Sequence, residues 1–392
     1  MATNCMDAIA SRFALILVVL ALFAPNPILG SLNNKELGLR LNAIDRCWRL
    51  NPNWRRNRPQ LASCSIGFAG KMSGGNAGRG IVRYKVTDPS DNPVIPKPGT
   101  LRYGATMIRG KVWITFQRDM RITLQKPLLI SSFTSIDGRG VSVQIAGNAC
   151  LTIVKASNII IHGLQIYHCR AQAPSTVMGP DGKVVSLGPV DGDAIRLISA
   201  SKIWIDHNTL YQCQDGLLDV TRGSTDITIS NNWFRNQDKV MLLGHDDGYS
   251  RDKNMRVTVV YNHFGPNCNQ RMPRIRYGYA HVANNLYSGW TQYAIGGSMN
   301  PSIKSEANLF IAPKSGNKEV TWRMDTVGNK QSWKFYSVGD VFENGASFTQ
   351  TGFRGAKPSD NGLQNFPVVA AKFVRSVTSS AGVLRCTRGS RC

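Results

Sequence analysis

The chain has 392 residues, enough for one large domain or two ordinary ones, and carries 47 Lys+Arg against 24 Asp+Glu, a net charge of +23. A surplus of that size favours a polyanionic partner: nucleic acid, an anionic membrane or an acidic polysaccharide. The N-terminus narrows the choice. Arg12 precedes twelve apolar residues, Phe13 to Ala24, too short for a comfortable membrane span and the length of a signal-peptide core. Residues 1–30 therefore read as a signal peptide cleaved near Gly30–Ser31. The segment removes one Asp and one Arg, so the remainder keeps its +23. No later segment reads as transmembrane. A secreted basic chain sets nucleic acid and membrane aside and points to an extracellular polyanion.

Residues 31–75 form an N-terminal extension with Trp48, Trp54 and a short helical pattern around Leu37–Leu41. Of nine cysteines, Cys5 leaves with the signal and eight remain: Cys47, Cys64, Cys150, Cys169, Cys213, Cys268, Cys386 and Cys392. A secreted chain can oxidise such pairs. The local pairs 47–64, 150–169 and 386–392 are the simplest arrangement, and the sequence alone leaves the connectivity open. No spacing reads as a zinc site. The one sequon-like triplet, Asn300-Pro301-Ser302, is disqualified by its proline.

From about residue 100 short β-branched runs recur between Gly, Asn and Asp, with almost no helical periodicity. Ile203-Trp-Ile205-Asp-His-Asn208-Thr-Leu210 compares with Ile227-Thr-Ile229-Ser-Asn-Asn232-Trp-Phe234 and Val257-Thr-Val259-Val-Tyr-Asn262-His-Phe264. His281–Tyr287 and Ile303–Phe310 follow more loosely. The asparagines at 208, 232, 262, 285 and 308 are 24, 30, 23 and 23 residues apart, and an earlier relative puts Leu164 in the same slot. Strands repeating at such a period without helices predict an all-β fold, a right-handed single-stranded parallel β-helix over residues 76–360. Its rungs stack at about 4.8 Å, with the asparagines in a hydrogen-bonded ladder at one corner. Residues 171–190 read as an excursion from the coil. Residues 361–392 read as a C-terminal arm packing along its outside.

The period also places side chains. Asp215 lies seven residues after Asn208, Lys239 seven after Asn232 and Arg271 nine after Asn262; Asp191 and Asp193 lie 24 and 22 before Asp215. Residues of equal phase stack, so Asp191/Asp193, Asp215/Asp219, Lys239 and Arg271/Arg276 are expected in one column over four rungs, acids at one end and cations at the other. In "DGLLD" the i,i+4 acids are expected on one strand face. Four clustered carboxylates raise one another's pKa unless a cation joins them. A hard divalent ion with oxygen ligands fits, and Ca²⁺ tolerates irregular geometry. Such a column suits a substrate that is itself acidic, such as a uronate whose carboxylates pair with Lys239 and Arg276. Arg274 is expected to be a structural or rim contact pointing away from Arg276. His207 and His263 are expected to be stacked or hydrogen-bonded core groups.

The segments "CWRLNPNW", "VTDPSDNPVIPKPGTLR", "IWIDHNTL", "DGLLDV", "GSTDITISNNWF", "DKVMLLGHDD" and "QRMPRIR" together resemble the plant pectate lyases and the related pollen allergens, from about Cys47 to residue 350. The resemblance implies Ca²⁺ dependence and eliminative cleavage of de-esterified pectin by a secreted, cell-wall enzyme, expected to be a monomer that acts on an acidic polysaccharide. Carried over residue by residue, it implies Asp191, Asp193, Asp215 and Asp219 as calcium ligands, Arg271 as the catalytic base, and Lys239 and Arg276 as substrate-binding cations. The implied reaction removes the C5 proton of a galacturonate and breaks the C4–O bond, with crowding by neighbouring cations favouring the neutral form of Arg271. Cys268 and Asn269 replace residues that are usually apolar in that family, and Ile275 stands where many members have Cys. Two alternatives remain: a non-catalytic pectin-binding or allergen-like protein on the same fold, and a polygalacturonase-type hydrolase using paired carboxylates.

Overall fold

In the computed structural model, residues 41–324, 333–352, 366–386 and 391–392 are described. The segment assigned as a signal, and the helical pattern up to residue 40, lie outside them. Three parallel sheets run the length of the molecule, of ten, nine and eight strands among the described residues. The chain visits them in turn. One rung, for example, is Ser201–Asp206 in the first sheet, Thr209–Tyr211 in the second and Leu218–Thr221 in the third. The next is Thr225–Ser230, Trp233–Arg235 and Met241–Leu243. Ile203 stands over Ile227, Leu210 over Phe234 and Leu218 over Met241. This is a parallel β-helix, as the period predicts. Its interior is one continuous apolar core, including the stacked rings of Phe234, Phe264, Tyr287 and Phe310, with successive centroids 5.1, 4.8 and 4.4 Å apart.

The corner between the first and second sheets sets the register. Asn208, Asn232, Asn262, Asn285 and Asn308 are all fully buried. Each of the first four donates its Nδ2 to the Oδ1 of the next, at 3.1, 3.1, 3.0 and 3.0 Å. The same Oδ1 also accepts the backbone N–H of the asparagine before it. The ladder runs further than the asparagines. Its first Oδ1 receives the N–H of Leu164, and Asp340 accepts the last amide at 3.1 Å. The residue before each slot is left-handed: His207, Asn231, Tyr261, Asn284 and Ala307 have φ of 53, 53, 60, 51 and 51°. That conformation is costly for a residue other than glycine, and at this corner the ladder on its C-terminal side holds it in place.

The excursion at 171–190 contains an antiparallel hairpin, Ser175–Met178 with Val184–Leu187. Residues 41–77 lie across the outer face of the first sheet. Phe68 and Ala69 give their N–H groups to Thr258 and Thr228, and Gly67 lies against the Thr258 side chain with no room for a Cβ. A buried network ties the same segment down: Asp45 bonds His207 at 2.7 Å and Arg49 at 2.8 Å, and Trp48 packs edge-on to His162. The disulfides are Cys47–Cys64, Cys150–Cys169 and Cys386–Cys392, the local pairs, with Cys213 and Cys268 buried and free. No helix among the described residues is long and apolar enough to cross a membrane.

The ladder makes a quantitative prediction. Leu fills the slot at 164, but Asn262→Leu would strip acceptors from the Asn232 N–H and Nδ2 and a donor from Ile229 O. Unsatisfied buried polar groups cost about 1–3 kcal/mol each. Equilibrium denaturation of Asn262→Leu is expected to show a loss of about 2–4 kcal/mol; a loss below about 0.5 kcal/mol would mean that the ladder does not hold the rungs.

Candidate active site

The acids come together at the turn leading into the third sheet. Two glycines make this possible. Gly192, between Asp191 and Asp193, has φ +104°, and a Cβ there would lie 2.9 Å from Ala171 N. This left-handed residue lets both flanking aspartates turn toward one place. Gly216 follows Asp215, and a Cβ on it would lie 2.8 Å from Asp193 Oδ1 and 3.1 Å from Asp219 Oδ1. Its N–H instead donates to Asp193 Oδ1 at 2.9 Å. One carboxylate oxygen each from Asp191, Asp193 and Asp215 lie within 4.8 Å of one another, an arrangement that could hold a metal ion. Asp219 stands outside this trio, on the strand, and faces Asp193 across Gly216. The i,i+4 acids of "DGLLD" therefore do not share one strand face: Asp215 sits in the bend and Asp219 in Leu218–Thr221.

The electrostatics of this cluster are frustrated. Burial, then the charges of Asp219 and Asp191, hold the Asp193 carboxyl well above the ordinary range. Burial, with Asp191 and Asp215, pushes Asp219 up to about 7, against the opposing pull of Arg196 and Arg271. Asp193 Oδ2 is buried with no hydrogen-bond partner. A buried carboxylate oxygen without a donor is costly unless a cation meets it. An all-oxygen donor set of this kind suits a hard divalent cation.

The cations are placed differently from the expected single column. Lys239 Nζ meets Asp215 Oδ1 at 2.6 Å, joining the acids to the next rung. Lys239 stands in register with Gln270, so Arg271 lies one residue past it. Arg271 is left-handed at φ +63° and makes no ion pair among the described residues; its Nε is buried without a partner and the Tyr293 hydroxyl lies beside it. Arg276 leaves the column. Asp219 aligns with Leu242, and Leu242 with Arg274, so Arg276 lies two residues further along the strand. Its Nε meets Asp247 at 2.8 Å and its Nη1 donates to His245 O at 3.2 Å, both on the loop after Leu243. The expectation that Arg274 and Arg276 point apart also fails. They are two residues apart on Arg274–Arg276, so they share the outward face while Ile275 enters the core. Arg274 is a structural contact, with its guanidinium 5.3 Å from the Trp322 ring centre.

Three residues of this site escape the phase argument. Arg196 bonds Asp191 at 3.0 Å and stands in register with Asp219; the 23-residue spacing between them carried that signal. Tyr293, 22 residues after Arg271, carried a similar one. Asp247 carried none, because it lies in the extra length of the 30-residue rung between Asn232 and Asn262. His207 is a buried core group as expected, whereas His263 is half-buried on the outer face of the second sheet, stacked and hydrogen-bonded to Ser288 but outside the core. Burial lowers the pKa of His207, but Asp45 and Asp206 outweigh it and raise the net value; its ring also meets Gly382 O at 3.0 Å. His263 stacks on Trp233 and is pushed down to about 4 by burial.

Comparison with known proteins adds to this geometry. A family model described as pectate lyase matches residues 105–386. The chain is 50% identical over 354 residues to probable pectate lyase 9 of Arabidopsis thaliana, covering 90% of this chain and 77% of that one. The chain belongs to the pectate lyase family. It is 47% identical over 387 residues to probable pectate lyase 4 of the same plant, with 98% and 100% covered, and 48% identical over 356 residues to pectate lyase 1 of Cryptomeria japonica, with 90% and 94% covered. Among solved structures, the major cedar-pollen allergen Jun a 1 superposes with a TM-score of 0.83 at 46% identity, covering 88% of this chain and 99% of the other. A pectate lyase bound to a hexasaccharide shares the fold, with a TM-score of 0.60 at 18% identity. The parallel β-helix is thus the fold of the family, and the enzyme class that goes with it is polysaccharide lyase.

Gly216 provides a test of the acidic cluster. In Gly216→Ala the Cβ would press on Asp193 and Asp219 and spread the carboxylates. If the cluster holds Ca²⁺, millimolar Ca²⁺ is expected to raise the Tm of the unaltered protein, and in Gly216→Ala that rise is expected to shrink, with affinity reduced about tenfold, equivalent to about 1.4 kcal/mol. Equal Ca²⁺ affinities for the two proteins would remove these carboxylates from the metal site.

Proposed function

We propose that the Asp–Lys–Arg cluster is the active site of a calcium-dependent pectate lyase that cleaves α-1,4-linked galacturonan by β-elimination, giving unsaturated oligogalacturonides. The observation that carries this reading is the contrast among the cations: Arg196, Lys239 and Arg276 are each tied to a carboxylate, whereas Arg271 at the edge of the acids is not. Asp191, Asp193 and Asp215 would hold Ca²⁺, with Asp219 as the fourth carboxylate of the site. When bound, the ion supplies positive charge that stabilises the developing negative charge on the substrate's carboxylate.

The chain's own residues do the rest. Lys239 and Arg276 bind carboxylates of the substrate and orient it, as charge-assisted pairs. Asp247 fixes the Arg276 guanidinium, and Tyr293 packs beside Arg271. Arg271 takes the proton from C5. The C5–H electron pair forms the C4=C5 double bond, and the glycosidic oxygen leaves C4 with the bonding pair and gains a proton from water. An arginine ordinarily keeps its proton, so the role needs a site that holds the guanidinium clear of carboxylates. Removal of residues 1–30 as a signal, the 31–75 extension, the catalytic coil over 76–360, the arm at 361–392, and action as a secreted monomer in the cell wall belong to the same proposal.

With polygalacturonate and Ca²⁺, the protein is expected to generate the ultraviolet absorbance of a C4=C5 product, and chelator should abolish it. New reducing ends without that absorbance would mean hydrolysis. Binding with neither would mean a non-catalytic protein. Arg271→Lys should lower kcat by roughly 10²–10⁴-fold, the usual range for a general base, while leaving substrate binding intact. Full activity in that variant would remove Arg271 from the chemistry.

A further inference from the structure

The outer face of the second sheet carries a set of side chains that this mechanism does not use. Two outward rows run along it. Gln165, Thr209, Trp233 and His263 occupy one, and Tyr167, Tyr211 and Arg235 the other. Tyr167 and Tyr211 stack with centroids 4.7 Å apart. The Arg235 guanidinium lies 4.3 Å from the Tyr211 ring centre and 4.7 Å from that of Trp233. Stacking between rings fixes the plane of the guanidinium without neutralising it. Arg235 makes no ion pair among the described residues, and its Nε is buried without a partner.

The C-terminal arm runs beside this face. Gly382 N–H donates to Asn231 O at 2.7 Å, and Val383 N–H to Thr209 Oγ1 at 3.1 Å. A cavity of about 660 Å³ remains between arm and sheet. Its walls include Trp233, Arg235, Arg385, Gln165, Ser142 and Asp119. The volume is that of an ordinary small-ligand site. The lining offers two guanidinium groups, one carboxylate whose Oδ1 already accepts the Ser142 N–H at 2.8 Å, and the polar side chains of Gln165 and Ser142. Trp233, Val383 and Leu384 give it an apolar side.

We infer that this cleft is a second binding site for a uronate oligosaccharide, separate from the acidic cluster. Two cations, of which Arg235 is pre-oriented by aromatic rings, match the carboxylates of adjacent sugars. The amide, hydroxyl and remaining carboxylate oxygen match sugar hydroxyls, and the apolar side matches the carbon skeleton. The net charge of +23 favours the same polyanionic class. Arg235 lies four residues before Lys239 on the same rung, so the cleft occupies the face neighbouring the active site. A polymer held there stays near the acidic cluster between cleavage events. This inference rests on the reading of the substrate as a polyuronate.

The test separates binding from turnover. Trigalacturonate is titrated into Lys239→Ala protein in chelator, which silences the acidic cluster, and binding is followed by calorimetry. Binding is expected to persist and to weaken about tenfold on adding Arg235→Gln. Arg385→Gln, on the exposed arm, should weaken it in the same direction, and Arg235→Lys should restore part of the loss. Neutral galactotriose should not bind. In otherwise unaltered enzyme, Arg235→Gln and Arg385→Gln should raise KM for polygalacturonate several-fold with kcat unchanged, and leave KM for trigalacturonate unchanged. Absence of trigalacturonate binding in the Lys239→Ala protein, or binding indifferent to both arginines, overturns the inference. Because that titration needs no catalysis, a protein without lyase activity that still bound through Arg235 would sink the proposed function and keep the cleft.

Discussion

The buried amides of Asn232, Asn262, Asn285 and Asn308 each accept two hydrogen bonds from the rung before, Asn208 accepts one from Leu164, and all five reach toward the rung after. That interaction fixes where every rung sits relative to its neighbour. A parallel sheet with a continuous apolar interior would tolerate slippage by two residues, since side-chain facing repeats with that period. A ladder of buried polar groups does not, because each slipped rung would leave donors and acceptors unpaired in the core. The site depends on this accuracy. Asp191, Asp193 and Asp215 come from two rungs, Lys239 from a third and Arg271 from a fourth, and the Lys239–Asp215 contact closes only at the observed register.

The ladder holds together groups that would otherwise move apart. Asp193 and Asp219 are buried and face each other across a glycine, and burial and mutual repulsion both disfavour their ionised forms. Arg196 and Lys239 relieve part of this from the two sides, through Asp191 and Asp215. Neither meets the unpartnered Oδ2 of Asp193. Energy stored in such a cluster is a common property of sites prepared for a ligand. Here it would favour a divalent cation, whose binding would displace protons.

Much of the fold could be read from the residues, because a coil repeat writes itself into the sequence as a period. The spacing of the asparagines located the corner, and Leu164 marked its beginning. Asp340, which closes the ladder, lacked the asparagine signal although it accepts the same two bonds from Asn308. The acids were legible for the same reason. The cations were less so. Phase counting placed Arg276 in the column, but it lies fourteen residues after Asn262 whereas Asp219 lies eleven after Asn208, and the strand register puts Arg274, twelve after Asn262, there instead; the loop added after Gly244 belongs to the rung before. Asp247, which holds Arg276, lies within that added loop, where no period reaches. Outward rows on the second sheet also went unread, since a Tyr or Trp on a half-exposed strand looks the same whether or not an arginine is stacked on it.

In the proposed function, the acidic cluster stays protonated in part until a divalent cation takes the place of the protons. The sign follows from the raised carboxyl values. A carboxyl held above its unfolded value keeps its proton in the folded state, so without metal the stability contributed at Asp193 and Asp219 falls as pH rises from about 4, the unfolded value, towards 7, the value reached by Asp219. Ca²⁺ binding should therefore release protons and tighten over the same range. Calorimetry in two buffers of different ionisation enthalpy measures this directly. Release of about one proton or more per Ca²⁺ at pH 6, declining towards pH 8, is the result expected from linkage. Ca²⁺ binding without proton release, and with an affinity independent of pH, would contradict it.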